Sequence, residues 1–524
     1  MATTTDTTIP LQISIPTDIL CIIFDILRRS VRNQDHKSSS KFDRSLHWVP
    51  EVTHICSSWR EAALSVSFLW THIHIDASVS WAVEFARRSG NAPIRITACT
   101  TPSLGREGFA CMRSLLHENR QRVQGIYLKQ VFEDYEDKII DALSNDTDTD
   151  EWPVFFPILD DLEISSDEHE ELEYIAHYSF ELPDGLLHTP ELKALSLTHC
   201  AVAKEFGTFD KLSHLYIREN TLSYFAAPFL RDALSNMPNL ETLDLGLEHP
   251  YYPANLKTVN FGTQLDLPKL LRIKLHGWRT KWITSFLQAM SPGPQRTIWV
   301  TGIPPIYQLE QYLHLFSGIM SHTIQNSAVR RLTLAIDVTK FTMIASQHSQ
   351  TPHDDDIRCV FRSPETTEPR DFERSLLDGL LRRTNHQDLQ ILRVSLIHPL
   401  STRSWVEFFG KLPSLTSISI SSGEIQLFAA LIDGSKDAPV EANLAAALPF
   451  QALREVRISR KEGVYAEKDK ECMLKCLRKR MDLGMSLKKL SFVIGYGMSN
   501  LESQINVFRD VVTQMDLEMP EELL

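Results

Sequence analysis

One short phrase, Pro-x-Leu-x-x-[Leu/Ile]-x-[Leu/Ile], occurs five times and constrains the fold more than any other feature of the chain. Its copies begin at Pro157, Pro190, Pro238, Pro268 and Pro413. The last two apolar residues of each copy are two apart, the period of a strand with one buried face. Related segments without the proline are Val123/Ile126/Leu128, Leu212/Leu215/Ile217, Val329/Leu332/Leu334, Leu389/Leu392/Val394, Leu453/Val456/Ile458 and Leu487/Leu490/Phe492, with Gln295/Ile298/Val300 a weaker member. Successive central positions lie 20 to 38 residues apart, except for 60 between Leu332 and Leu392, where Ile357–Phe361 supplies a further strand. Such spacing leaves room for a returning helix or loop, as at 225–236 and 372–383. The strands are therefore expected to be parallel, each unit burying its apolar face against its neighbours. An ordinary α/β domain with parallel strands would give the same spacing.

Ahead of this region the chain has a different period. Ile19, Ile22, Ile23 and Ile26 follow the i, i+3, i+4, i+7 pattern of one helix face, and Leu20, Ile23, Phe24 and Leu27 that of the adjacent face. Pro16 suits the first turn of a helix, Asp18 complements its positive end, and Arg28 and Arg29 its negative end. A second helix carries Val52, Ile55, Cys56 and Trp59 on one stripe. A unit of some fifty residues cannot enclose two wide apolar faces, so one face is expected to meet another protein. The plainer account of the same stripes is a two-helix cap on a larger domain.

The order Ile15-Pro16-Thr17-Asp18, Ile23-Phe24, Ile55-Cys56-x-x-Trp59-Arg60 and Leu69-Trp70 resembles the F-box, most of all its form in mushroom-type fungi, in which a His-Ile-His-Ile strand follows the Leu-Trp. Departures are Ile15 for leucine, Asp18 for glutamate, and a polar insertion from Asn33 to Arg44. The resemblance implies a helical unit over residues 13–75, after a flexible stretch 1–12, that docks the Skp adaptor of a cullin–RING ubiquitin ligase. The residues it implies for that contact are Ile15, Pro16, Ile19, Leu20, Ile23, Phe24, Cys56, Trp59 and Arg60. The downstream pattern resembles leucine-rich repeats, irregularly, since only Cys200 and Asn220 stand where the repeat's turn residue is expected. The expected architecture is an α/β chain in which an F-box-like helical unit is followed by an irregular leucine-rich-repeat-like solenoid over 76–524.

Several function classes are disfavoured. No apolar run approaches the roughly 18 residues of a membrane span, and the Thr-rich start lacks the basic and apolar parts of a secretory signal. Eight cysteines without paired close spacings suit a reducing compartment, cytosol or nucleus. The net charge of −13 is concentrated: residues 133–173 hold 17 Asp/Glu and one Lys, a balance of −16, leaving +3 elsewhere. That segment is expected to be exposed, and no broad basic stripe points to nucleic acid.

Candidate chemistry fails residue by residue. Asp146-x-Asp148-x-Asp150 has Glu151 where a calcium loop needs glycine and Pro157 where it needs glutamate. His169-Glu170-Glu171-Leu172-Glu173 lacks the second histidine of a zinc-protease helix. Gly495-Tyr496-Gly497 lacks the third glycine of a dinucleotide loop. Cys472 and Cys476, one helical turn apart without a further His or Cys nearby, read as buried thiols. No enzyme activity, cofactor or metal is expected. The expected function is a substrate receptor of a Skp–cullin–F-box ligase, with a repeat scaffold lacking ligase association as the alternative. Residues between the inward leucines would face the target, and aromatic and cationic types concentrate at Tyr216, Arg218, Lys274, His276 and Trp299.

Overall fold

The computed structural model describes residues 15–35, 48–76, 78–100, 104–131, 135–143, 156–166, 180–181, 186, 189–201, 209–219, 227–247, 261, 264–291, 297–303, 330–336, 340–346, 357–362, 387–396, 399–421, 424–433, 449–460, 467–494 and 506–518. The chain folds as two compact units, Met1–Tyr224 and Phe225–Leu524. Most of the acidic segment, including Asp146, Asp148 and Asp150, and the helix expected at 372–383 lie outside the described residues.

The first unit opens with helices α1 (Thr17–Asp35), α2 (Trp48–Thr53) and α3 (Ser57–Ser65). Strands and helices then alternate: β1 (His72–His74), α4 (Val79–Arg88), β2 (Ile94–Cys99), α5 (Gly105–Glu118), β3 (Val123–Val131), α6 (Glu136–Leu143) and β4 (Asp161–Ser166). After them come β5 (Phe180–Glu181), β6 (Ala194–Thr198), β7 (Cys200–Ala201) and β8 (His214–Glu219). The main sheet runs β1-β2-β3-β4-β6-β8 with every pairing parallel, and β5 and β7 form a separate parallel pair. Its register stacks like on like. Ile73, Ile96, Ile126, Leu162, Leu195 and Leu215 form one transverse row, all buried.

The recurrent proline has a local explanation. The Leu159, Leu192, Leu240 and Leu270 N–H groups donate to the carbonyls of Phe156, Thr189, Met237 and Leu267, each the residue before the proline. Pro157, Pro190, Pro238 and Pro268 thus stand second in a four-residue turn, where a fixed φ near −65° is already the required geometry. The turn drops the leucine into the core and launches the strand. At the launch, one carbonyl accepts two N–H groups of the next unit, as when Lys193 and Ala194 both donate to Asp160 O, and Arg454 and Glu455 to Thr416 O.

The second unit comprises α7 (Ala227–Ser235), β9 (Thr242–Leu247), β10 (Arg272–Arg279), α8 (Thr280–Ala289), β11 (Thr297–Ile303), β12 (Arg331–Ile336), β13 (Lys340–Ser346) and β14 (Ile357–Arg362). It continues with β15 (Ile391–Ser395), α9 (Thr402–Phe409), β16 (Ser417–Ile420), α10 (Glu424–Asp433), β17 (Glu455–Arg460), α11 (Glu467–Asp482), β18 (Lys489–Ile494) and β19 (Gln514–Glu518). Its sheet runs β9-β10-β11-β14-β13-β12-β15-β16-β17-β18-β19. All pairings are parallel except those of β13, which is antiparallel to both β12 and β14.

These observations correct the expected architecture of a helical F-box-like unit followed by a leucine-rich-repeat-like solenoid. The fold is α/β, with helices interleaved between parallel strands. The helices are no separate layer ahead of the sheet, because β1 directly follows them and pairs with β2. Further along, β14 joins β11 and β12 joins β15, so strand order departs from chain order around an antiparallel β13. A solenoid of equivalent turns has no place for such an inversion, since each of its units pairs only with the next in sequence. The apolar period is the same in both architectures, which is why it could not separate them.

Two arginines, one half-buried and one fully buried, tie helices to strands. Arg122, just before β3, donates from Nη1 to Ser89 Oγ (2.7 Å) and Ala92 O (3.0 Å) and from Nη2 to Ala86 O (3.0 Å), closing the exposed carbonyls at the end of α4. Arg480 on α11 is fully buried and donates to Leu431 O, Pro449 O and Phe450 O. Burial lowers its pKa to about 10. Phe450 has φ +58 and its N–H donates to Gly410 O. A Cβ on Gly410 would come within 2.8 Å of the Pro449 ring and 2.7 Å of Val406 O, so only glycine lets this segment close in. Truncation of Leu195 or Leu243, each at most 1% exposed, should cost about 2–5 kcal/mol. Chemical denaturation of the two single alanine variants checks this, and a loss below about 1 kcal/mol at either would contradict the buried rows.

Candidate functional site

The surface around α1 departs most from what a folded chain usually shows water. Leu20 and Phe24 are buried, and the Phe24 ring meets that of Trp59 edge-on at 5.4 Å. That contact fixes α1 against α3 and turns the opposite face outward. Ile15, Ile19, Ile22 and Ile26, spaced four, three and four apart, are 37–61% exposed, and Ile55 is 57% exposed. Ile23 and Trp59 are half-buried, while Pro16 and Arg60 are exposed. Arg60 Nε donates to Thr53 O at 2.8 Å, pinning the start of α3 to the end of α2. Cys56, the exposed residue just before α3, lies 3.1 Å from Ser58 Oγ, and this hydroxyl with the Trp59 N–H holds its thiol below the ordinary range.

Of the residues expected to face a target, Lys274, His276 and Trp299 lie on the neighbouring strands β10 and β11. Their register aligns Asp244, Lys274 and Trp299 in one row, and Gly246, His276 and Thr301 in another. Lys274 Nζ sits 5.1 Å from the Trp299 ring centre and 3.9 Å from Asp244 Oδ2. His276 Nε2 lies 3.4 Å from Asp244 Oδ1, and Nδ1 lies 2.7 Å from Thr301 Oγ1. This hydroxyl–imidazole–carboxylate order superficially matches a nucleophilic relay. The N–H groups of β11, however, belong to a strand paired on both sides, so among the described residues this strand offers no free backbone donors for an oxyanion beside Thr301. The cluster sets a cation on an aromatic face, backed by a nearly buried carboxylate. Tyr216 and Arg218 belong to the first unit, where the Arg218 guanidinium lies 5.0 Å from the Tyr216 ring centre.

Asp76 was not evident from the sequence. It ends the β1 segment, and neither carboxylate oxygen finds a well-oriented hydrogen-bond donor among the described residues. Burial pushes its pKa up to about 7, against the weaker opposing pull of the Asp76 and Cys99 N–H groups and of Lys129. Nothing in an Asp after a His-Ile-His-Ile run signals burial, which is set by the tertiary packing around β1 and its partner β2. Arg480 was equally unannounced, although Met473, Cys476, Leu477 and Arg480 share one helical stripe.

No family model matches the chain, and no curated protein is significantly similar to it. No helix among the described residues is long and apolar enough to cross a membrane. Among the same residues no three His, Cys, Asp or Glu side chains converge as a metal would require. The fold of the described residues is that of an α/β protein.

Asp76 makes the stability of the first unit depend on pH. Below about pH 4 the carboxyl is protonated both folded and unfolded. Between pH 4 and 7 the unfolded chain releases the proton while the folded chain keeps it, so stability falls as pH rises and the loss is complete above pH 7. The difference from the ordinary 3.8 to about 7 corresponds to about 4 kcal/mol at most. Asp76→Asn should therefore raise the denaturation midpoint at pH 8 and leave it unchanged at pH 4. An equal effect at the two pH values would refute the assignment.

Proposed function

We propose that this protein is a substrate receptor of a Skp–cullin–F-box ubiquitin ligase, with the α1–α3 region docking the Skp-type adaptor and the sheets presenting the target. The observation that carries the reading is the outward row Ile15, Ile19, Ile22 and Ile26, with Ile55 from the α2–α3 turn. These are large aliphatic side chains at helical spacing, in the segment whose residues resemble the adaptor-binding motif. Covering five half-exposed isoleucines would contribute about 1 kcal/mol each, the scale of a specific contact with modest hot spots. Leu20 and Phe24 support that surface from behind, and Trp59 sets its angle.

In this reading the receptor makes and breaks no covalent bond. It holds the target near the ligase's transferring enzyme and so raises its effective concentration there. The Asp244/Lys274/His276/Trp299 cluster and the Tyr216–Arg218 pair are the target-facing groups. Such a ligase works in the cytosol or nucleus.

The adaptor contact is tested at Ile19 and Ile22, whose side chains are exposed, so charges there leave the fold intact. An Ile19→Asp/Ile22→Asp variant should lose co-purification of the adaptor and cullin from cells while keeping the parent's denaturation midpoint. Retained co-purification would end the proposal. Replacing Lys274 and Trp299 together by alanine should leave adaptor binding unchanged and lower ubiquitin transfer to receptor-bound proteins. Unchanged transfer would remove the cluster from the target surface.

A further inference from the structure

The cluster on β9, β10 and β11 is unfinished as a set of polar contacts. Asp244 is 6% exposed, and its Oδ1 has no hydrogen-bond donor among the described residues. The two groups beside it fall short. Lys274 Nζ stands 3.9 Å from Oδ2, beyond hydrogen-bond range, and His276 Nε2, 3.4 Å from Oδ1, is outside hydrogen-bonding geometry and has no such partner of its own. A carboxylate taken out of water normally fills several acceptor positions, so this one is short of donors. Lys274 is matched no better to Trp299, whose ring centre lies 5.1 Å from the ammonium. A compact charge cannot both lie on the ring and donate along the carboxylate edge. The lysine side chain is 38% exposed, so its flexible stem can swing the charge into water without opening the core. Lys274 therefore holds a place that another cation fills better.

We infer that the target offers an arginine side chain to this cluster, displacing Lys274 and lying between the Trp299 ring and the Asp244 carboxylate. This names the chemistry of the target within the receptor reading and rests on that reading. A guanidinium is planar, so its face stacks on an indole while its edge donates two parallel N–H groups to a carboxylate. One group thus meets both needs that Lys274 meets halfway. An acidic side chain fits less well. Beside Lys274 it would also lie against Asp244, whose charge already opposes that of the lysine. A lysine from the target would only repeat the Lys274 contact. The displaced Lys274 passes into water, where its charge is screened, and the net charge of −13 favours the approach of a basic segment.

The test uses the purified full-length protein and the fluorescence anisotropy of a labelled Gly/Ser decapeptide carrying three arginines, with lysine, citrulline and glutamate versions for comparison. The arginine peptide should bind about tenfold more tightly than the lysine and citrulline versions, the scale of one stacked cation. Trp299→Ala and Asp244→Asn should each abolish that preference. Attraction to the acidic residues of 133–173 alone would bind arginine and lysine peptides equally, and that result overturns the site. Lys274→Ala, which removes the competing cation, should raise affinity for the arginine peptide about threefold, and Lys274→Arg, which fills the place better, should lower it about as much. Lys274 is half-exposed, so both substitutions should keep the parent's denaturation midpoint and decide the matter even where Trp299→Ala or Asp244→Asn unfolds. Tighter binding of the glutamate peptide overturns the inference, as do Lys274 variants that act in the same direction or leave affinity unchanged. The Ile19→Asp/Ile22→Asp variant should bind the arginine peptide as the parent does. If that variant keeps the adaptor, the receptor reading fails while the arginine preference stands. If the parent binds the adaptor and shows no arginine preference, this inference alone fails.

Discussion

Register is the constraint on which everything else in this protein depends. A parallel sheet whose strands carry apolar residues two apart has only two faces to offer, and a slip of one residue would exchange them. Here the slip is blocked in many of the units by the same device. A turn closed by the leucine N–H fixes where the chain enters, and a carbonyl accepting two N–H groups of the following unit fixes how deep it goes. The result is the unbroken row from Ile73 to Leu215 in the first unit. In the second unit its counterpart runs Leu332, Leu392, Ile418, Val456, Leu490 and Met515. Burying such rows supplies the stability that lets the opposite face hold Lys274, Trp299 and Asp244 in a fixed array.

The helical layer is fastened by polar groups rather than by apolar contact alone. Arg122 and Arg480 both donate to backbone carbonyls at helix ends, where the last turn has no internal partners. Arginine suits this task because its planar fork reaches several carbonyls at once and keeps its charge when buried. The Phe450 backbone, with its left-handed φ, is held between Gly410 and Arg480. At the N-terminal side, Trp70 Nε1 donates to Ala63 O at 2.9 Å, its ring meets Phe85 at 4.8 Å, and Arg88 lies over it at 4.7 Å. The expected motif tryptophan is thus what joins α3 to α4, and it makes the first helices continuous with the sheet.

Strand positions were legible in the sequence because period two and a preceding proline are local signals. Each of the centres Ile126, Leu162, Leu195, Leu215, Leu243, Ile273, Ile298, Leu332, Leu392, Ile418, Val456 and Leu490 lies in a strand. Connectivity was not legible: nothing in Lys340–Ser346 announces an antiparallel direction, since hydrogen-bond polarity leaves no trace in side-chain period. Among the site residues, the proximity of Lys274, His276 and Trp299 followed from counting along strands. Which helix face of α1 turns outward did not, because both stripes are aliphatic and only the Phe24–Trp59 contact decides between them. Asp76 and Arg480 were invisible because burial is a tertiary property, Arg480 being enclosed by carbonyls 30 to 49 residues away in sequence.

The inverted β13 has a consequence for how the chain finds its shape. Strands so alike in pattern invite mispairing, for a unit skipped or doubled still presents leucine to leucine. Lys340–Ser346 stands apart from that pattern, because it alone among the described strands of this sheet pairs antiparallel with its neighbours. Once β12 and β14 have closed around it, every later strand is numbered from a position that admits one answer. The inversion acts as an index mark in an otherwise degenerate tape, and losing it would lengthen the search for the native pairing more than it would weaken the finished sheet.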